Sequence, residues 1–591
     1  MTETRLDQGE LITAEIIRNS LETVCKELSA TVENTALSPI FTLNHDYSCG
    51  VFYSGDGGQV QLLARDQAVP VHIFASLDSV QIMFETFPDD IREGDVFLVT
   101  DPYMGGTHCP DWTIIRPVTV APGVTFLTCV RGHVNDVGGP VPGNYNVNAR
   151  DVWQEGFRIP PVRIVSAGEH VGDIWETILA NTRLPAEVRG DLMAMVGACQ
   201  VGERRIRELA RKYGVEMLRR SVDYIVDYSE KRLRATIAEW PDGSYEHTGY
   251  VDHDFAGNRD VPVRVKVTVS GEEVVVDFDG TSGEVPGFIN SPTGNTISQV
   301  FTALTALCPD IPINSGFFRP VSVVLHPQTM VNPDPPAPVG NCTLTPGTTI
   351  IDTVMKAFEQ IRPELVGTAA VDMNGARCFG VSAATGRYWV SSDLAATAMS
   401  AGGARGTDGW GGWAATFCAL NLPPLEMFEL QFPWEYVLDE YARDTAAPGR
   451  WRGAPAIHYR RRHTDQMRCT IYNGGARNTL VGYAGGGDGA GNYWVIREGE
   501  ADEMTVTESC YAEPLSVGSL LFAQSGGGGG WGDPFEREPA AVLDDWLDDI
   551  VSTDGARRDY GVVIDPARQE VDLEATRRQR AGGGSRSPAA G

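Results

Sequence analysis

The chain has 591 residues, 42% of them apolar and 21% charged, with a formal net charge of −30 and a pI near 4.7. That length allows several domains and a sizeable core without covalent staples. The acidity argues against a nucleic-acid partner, because it repels phosphate backbones. Eleven cysteines are scattered without a CxxC pair, a pattern of reduced thiols and not of a disulfide framework. The N-terminus MTETRLDQGE is too acidic and polar for a signal peptide. No apolar run approaches the ~18 residues of a membrane span. A soluble, cytoplasmic protein is expected.

Residues 11–37 carry a helical rhythm of Leu11, Ile12, Ile16, Ile17, Leu21, Val24, Cys25 and Leu28, which Pro39 stops. HDYSCGVFYSGDGGQVQLLA then predicts a hairpin containing His45, Asp46 and Cys49. VPVHIFASLDSVQIMFETF is expected to start extended and turn helical after Ala75, with His72 at the changeover.

The stretch from Asp95 to Gly143 concentrates the chemistry: DVFLVTDPYMGGTHCPDWTIIRPVTVAPGVTFLTCVRGHVNDVGGPVPG. His108 and Asp111 share a tight THCPD turn, and His133 follows 22 residues after Asp111, at the end of a second apolar run. A pair of hairpin strands would bring His133 back to His108. Two imidazoles and a carboxylate suit a divalent metal with open positions. The competing reading is a pair of turn histidines bonded to backbone, with Asp111 opening a strand. Asp46 read alone is a turn or cap residue.

Asp136 in HVNDVGG is either a turn residue or an acceptor that holds His133 in one tautomer. Asp101 reads as a turn cap before Pro102. His72 and His45 are candidates for lining the site, against the commoner structural role of a histidine. Cys109 beside His108 reads as a buried neutral thiol and not as a nucleophile.

Residues 171–235 read as mostly helical, and Gly214 closes the helix of GDLMAMVGACQVGERRIRELARKYG. From about residue 243 to 325 the period switches to two, which predicts an antiparallel sheet. Residues 326–347 hold six prolines and read as a linker. A helix over 350–361 leads into a glycine-rich, strand-bearing region, then an acidic helix over 539–550 and a YGVVID strand. Loops 402–413, 482–494 and 525–534 are glycine-rich and invite a phosphate reading. No Gly-Lys pair exists, however, so they are expected to be structural turns.

The fold class expected is α+β, a multi-lobed chain. Its parts are metal-bearing hairpins with a helical segment (1–240), an antiparallel region (241–325), the proline-rich linker (326–347), a mixed C-terminal lobe (348–575) and a disordered tail (576–591).

HDYSCGVF, PVHI, GDVFLVTDPYMGGTHCPDW, VRGHVNDVGGPVPG, WQEGFRIPPVRI, DFDGTSGEVPG and GGGGGWGDPFERE, in that order, resemble the hydantoinase B / acetone carboxylase alpha-subunit family. Among these blocks, TDPYMGGTHCPD and GHVNDVGG are the specific ones. The resemblance implies a metal-dependent subunit of an ATP-dependent enzyme whose companion, a hydantoinase A-like ATPase subunit, binds ATP and phosphorylates a carbonyl or enol oxygen. It places the metal ligands on His108, Asp111 and His133, with Asp46 as a fourth. The metal would be one divalent ion, zinc first, with manganese or iron as alternatives. Opening of a cyclic amide such as a hydantoin, oxoproline or lactam is the leading expectation, and an acetone- or acetophenone-type ketone carboxylase is the alternative. Thr100 stands where many relatives carry Asn before the DPY, a position bordering the site.

Overall fold

The structure is a computed structural model, and it describes residues 6–55, 58–66, 69–88, 90–367, 372, 374–393, 400–411 and 420–582. Two compact units emerge: residues 1–246, 265–343 and 418–421 form the first, and residues 247–264, 344–417 and 422–591 the second. The fold is α+β, with thirteen α-helices and mostly antiparallel sheets among the described residues. None of these helices is long and apolar enough to cross a membrane.

The first unit opens with α1 (Gln8–Thr35), started by a reciprocal capping box between Asp7 and Glu10. Its core stripe is Ile17, Leu21, Val24, Cys25, Leu28 and Val32, while Leu11, Ile12 and Ile16 face outward. Pro39 does not simply end the helix; it is the first residue of a short second one, α2 (Pro39–Thr42). There follow β1 (Tyr47–Ser54), β2 (Val60–Arg65), α3 (Pro70–Thr86), β3 (Val96–Val99), β4 (Asp111–Ala121), β5 (Val124–His133), β6 (Val162–Ser166) and β7 (Glu169–His170). The seven strands make one antiparallel sheet in the order β2-β1-β5-β4-β3-β6-β7. Every residue of β1 is buried, Ser48 and Ser54 included.

The expected changeover at Ala75 is corrected by α3. Pro70 sits at its first position, where the missing N–H costs nothing, so the helix already includes His72. The helical middle consists of α4 (Gly172–Ala180), α5 (Pro185–Tyr213) and α6 (Val215–Ile237).

β8 (Gly243–His253), β9 (Arg259–Ser270) and β10 (Glu273–Asp277) form the expected antiparallel run. The region also holds α7 (Thr293–Leu307) and α8 (Ser315–Phe318), and β11 (Val321–Val324) joins β10 in parallel. A mostly apolar stretch such as ISQVFTALTAL, with most of its polar residues also buried, does not distinguish a buried helix from a buried strand by period alone. The proline-rich stretch is not a free linker over its length, since residues 338–342 are hydrogen-bonded into the first unit.

In the second unit α9 (Thr345–Glu359) precedes β12 (Asn374–Val381), β13 (Tyr388–Asp393), α10 (Leu425–Gln431), β14 (Trp434–Tyr441), β15 (Ile457–His463), β16 (Met467–Asn473), β17 (Tyr493–Ile496), β18 (Met504–Val506), β19 (Ser509–Leu515) and β20 (Leu520–Gln524). These strands make two sheets, β13-β12-β16-β19 and β14-β15-β20-β17-β18.

The glycine-rich loops pack on one another through bare backbone. Gly403 N–H donates to Gly529 O, Gly528 to Ala454, Gly530 to Gly487 and Gly532 to Tyr483. Those amides already serve protein carbonyls, so they do not form a phosphate cradle. Residues 412 and 413 of the first loop lie outside the described residues.

The acidic helix is α11 (Pro539–Leu547), and the YGVVID strand is reduced to Ile564–Asp565. The expected disordered tail is corrected at its start by a helix over Leu573–Gly582, and residues 583–591 lie outside the described residues.

Candidate metal centre

β4 and β5 pair so that Asp111 lies directly opposite His133 and Thr113 opposite Arg131. With a period of two, these four side chains share one face of the sheet, the face that carries α3. His108 reaches the same place from the preceding turn, which Asp111 N–H closes onto His108 O at 3.1 Å. Gly105 lets the PYMGG loop approach α3: its φ is +76°, and a Cβ there would fall 2.3 Å from the Ser79 nitrogen.

His108 Nε2 is 2.9 Å from Asp111 Oδ1 and 3.1 Å from His133 Nδ1, and His133 Nδ1 is 3.1 Å from the same oxygen. All three residues are buried. His108 Nδ1–H donates to the Gly340 carbonyl at 2.9 Å, so a neutral His108 keeps its lone pair on Nε2. Three electron-rich atoms therefore face one another: two imidazole nitrogens and a carboxylate oxygen, all within 4.8 Å. A proton between two of them leaves the third unserved, whereas a divalent cation serves all three. The donor set fits such an ion.

Burial opposes protonation of His108, but the Asp111 carboxylate beside it outweighs burial and raises its pKa. Asp111 resists its own desolvation and is held well below the usual carboxylate range by His108 and His72. Burial lowers His133.

Two further expected residues adjoin this triangle. His72 Nε2 lies 3.3 Å from Asp111 Oδ2 and 3.9 Å from Asp46 Oδ1. The Asp46 carbonyl accepts the His133 N–H at 3.0 Å, which fixes the two residues side by side.

Asp136 does not orient His133, which corrects that expectation. Its carboxylate accepts from Gly138 N, Gly143 N, Arg183 N, the Thr182 hydroxyl and Arg183 Nη1 (2.9 Å), and so braces the loop after β5. His45 turns away to Glu33 and Asn421. Asp101 caps its turn at Tyr103 N and pairs with Arg158. Cys109 is a buried thiol raised well above its ordinary range by desolvation, as expected. The Thr100 hydroxyl accepts from Ile159 N–H, tying the DPY loop to the chain after residue 156.

Sequence reasoning missed four residues. Thr107 donates its hydroxyl to Asp111 Oδ2. Tyr145 stacks on His133 with centroids 6.1 Å apart and meets His108 edge-on at 5.9 Å. Arg131, fully buried, binds Thr113, Ser79, Gly105 O and His72 O. Glu155, 1% exposed, accepts from Val339 N and Gly340 N. Burial pushes the Glu155 carboxyl up to about 8, with the two amides pulling the other way. Only the position of Arg131, two residues before His133 in an otherwise apolar strand, was a usable signal.

The first unit thus carries a buried His–Asp–His cluster suited to a metal, on a sheet covered by α3. The hydantoinase B/oxoprolinase family model matches residues 10–534, and the chain belongs to that family. It is 33% identical to the beta chain of caprolactamase from Pseudomonas jessenii, over 96% of this chain and 99% of that protein. It is also 28% identical to the B component of a putative D-/L-hydantoinase from Pseudomonas sp. strain NS671, over 98% and 99%.

In structure it resembles the crystal structure of ATP-dependent caprolactamase from Pseudomonas jessenii, with a TM-score of 0.90 and 32% identity, covering 98% of this chain and 100% of that one. Nucleotide-free acetone carboxylase shares the fold at a TM-score of 0.86 and 19% identity, covering 97% and 82%. By this membership the chain is an enzyme component.

Proposed function

We propose that this chain is the metal-holding subunit of an ATP-dependent enzyme that opens a cyclic amide (a lactam, hydantoin or oxoproline) after a hydantoinase A-like partner has phosphorylated the amide carbonyl oxygen. The observation that carries the reading is the convergence of His108, Asp111 and His133 in a chain similar, end to end, to a caprolactamase component. A divalent cation held by these three, with Asp46 as a fourth ligand, supplies Lewis acidity that acidifies water and draws electron density from a carbonyl.

The chain's own residues set up the rest. The Gly340 carbonyl keeps the proton of His108 on Nδ1 and leaves Nε2 free to ligate. Asp111 divides its labour, with Oδ1 toward the imidazoles and Oδ2 toward Thr107 and His72. His72 Nε2, between Asp111 and Asp46, is placed to hold a proton and pass it to a departing nitrogen. Tyr145 walls the two ligating rings. ATP binds to the partner, and the assembly works in the cytoplasm, where buried thiols stay reduced.

The test is to co-produce the chain with its ATPase partner and supply ATP and metal with caprolactam, hydantoin or 5-oxoproline, and in parallel with acetone or acetophenone plus bicarbonate. Ring opening coupled to ATP cleavage, and lost in His108→Ala, is the expected result. Bicarbonate-dependent carboxylation of a ketone, with no ring opening, would reject the hydrolase and favour the carboxylase reading.

A further inference from the structure

Glu155 lies in the WQEG block, one residue beyond a short 3-10 turn over Val152–Gln154. Its two oxygens divide between successive amides: Oε2 accepts Val339 N–H at 3.0 Å and Oε1 accepts Gly340 N–H at 2.7 Å. The next peptide is fixed on its other side, since Asn341 N–H donates to Phe288 O at 2.9 Å. The Gly340 carbonyl shares a planar peptide with that Asn341 N–H, so Glu155 and Phe288 O hold the two peptides on either side of the Gly340 Cα and together leave its carbonyl little freedom to turn. That carbonyl receives His108 Nδ1–H. A side chain at Gly340 would crowd the clamp, because a Cβ would stand 3.0 Å from Glu155 Oε1 and 3.2 Å from its carboxyl carbon.

A buried carboxyl that accepts two amides is not in itself unusual. Asp191 does the same for Leu37 N (2.8 Å) and Ser38 N (3.0 Å) and has no link to a ligand histidine. What sets Glu155 apart is the use made of the clamped backbone.

We infer that Glu155 is a positioning residue for the metal centre: by clamping Val339 and Gly340 it aims the Gly340 carbonyl at His108 Nδ1 and so presents His108 Nε2 as a ligand. The inference rests on the metal reading above. The Gly340 carbonyl is the direct partner of His108, and losing such a partner commonly changes metal affinity by about 10–100-fold; Glu155 acts through it, which sets the low end of that range as the expectation. Glutamine in place of Glu155 keeps the size but turns one acceptor into an N–H₂ group facing a backbone N–H.

The experiment titrates metal-stripped full-length protein with Co²⁺, following the visible d–d bands and competing with a chelator, in wild type, Glu155→Gln and the matched control Asp191→Asn. We expect Glu155→Gln to lose about tenfold in Co²⁺ affinity, with altered bands. Asp191→Asn should bind as wild type does even where its melting temperature falls. Glu155→Gln that folds and binds Co²⁺ with wild-type affinity and spectrum overturns the inference while leaving the metal reading intact. Wild type that takes up no Co²⁺ overturns both. Should Glu155→Gln fail to fold, Glu155→Asp, which keeps both oxygens but withdraws them by one methylene, is read by the same criteria.

Discussion

At the scale of single residues the site depends on groups that never touch its centre. Arg131 ties β5 to Thr113 on β4, to His72 and Ser79 on α3 and to Gly105 of the PYMGG loop, four hydrogen bonds inside the protein. Replacing it with Met leaves buried acceptors without a donor. That should cost about 2–4 kcal/mol, read as a lowered urea midpoint with an unchanged slope. An unaltered midpoint would mean that the network carries no weight.

His108, Asp111 and His133 stood out in the sequence as candidates because their types and spacing suit a metal, and the β4–β5 pairing brings them together. Asp136 kept two readings because an Asp in a turn looks the same whether it braces Arg183 or orients a ring. Glu155 was invisible, since its partners lie more than 180 residues away and are backbone amides, which carry no sequence signature.

At the scale of elements, glycine marks where backbones meet. Gly202 of α5 has no space for a side chain: a Cβ would lie 2.5 Å from Thr128 Cγ2 and 2.9 Å from Leu28 Cδ1. Gly197, on the same helix, faces nothing within 4 Å. Gly197→Ala should therefore raise stability by about 0.5–1 kcal/mol through helix propensity. Gly202→Ala should lower it by about 1–3 kcal/mol through overpacking. Thermal melts of both variants test the pair, and shifts of the same sign would contradict the account.

The long amphipathic helices were legible because burial on one side imposes a period, and the β1–β2 and β4–β5 hairpins because glycine-bearing turns separate their paired runs, although β1, β4 and β5 are buried on both faces. The start of α3 was not, because Val-Pro-Val-His-Ile-Phe is buried on nearly all sides and shows no period to read. The parallel pairing of β11 with β10 depends on a partner 40-odd residues distant, which alternation alone does not specify.

At the scale of the whole molecule, charge and pH set the working range. With a net charge of −30 the folded chain repels itself, and moderate salt should stabilise it. Burial raises Glu187 from 4.5 to about 7 and Asp352 from 3.8 to about 6. The folded state thus holds protons that the unfolded chain releases. Their stabilising contribution is complete below about pH 4 and is lost as pH rises through about 6 to 7. Glu187→Gln should flatten that decline, gaining on wild type at pH 8 relative to pH 5. A variant whose pH–stability curve runs parallel to wild type would contradict this.

The most direct measurement of the central claim is the metal content of purified full-length protein, wild type beside His133→Ala and His108→Ala. The account expects close to one divalent ion per wild-type chain, and little or none in either variant with its fold intact. Equal metal content in all three, or none in wild type after reconstitution, would contradict it.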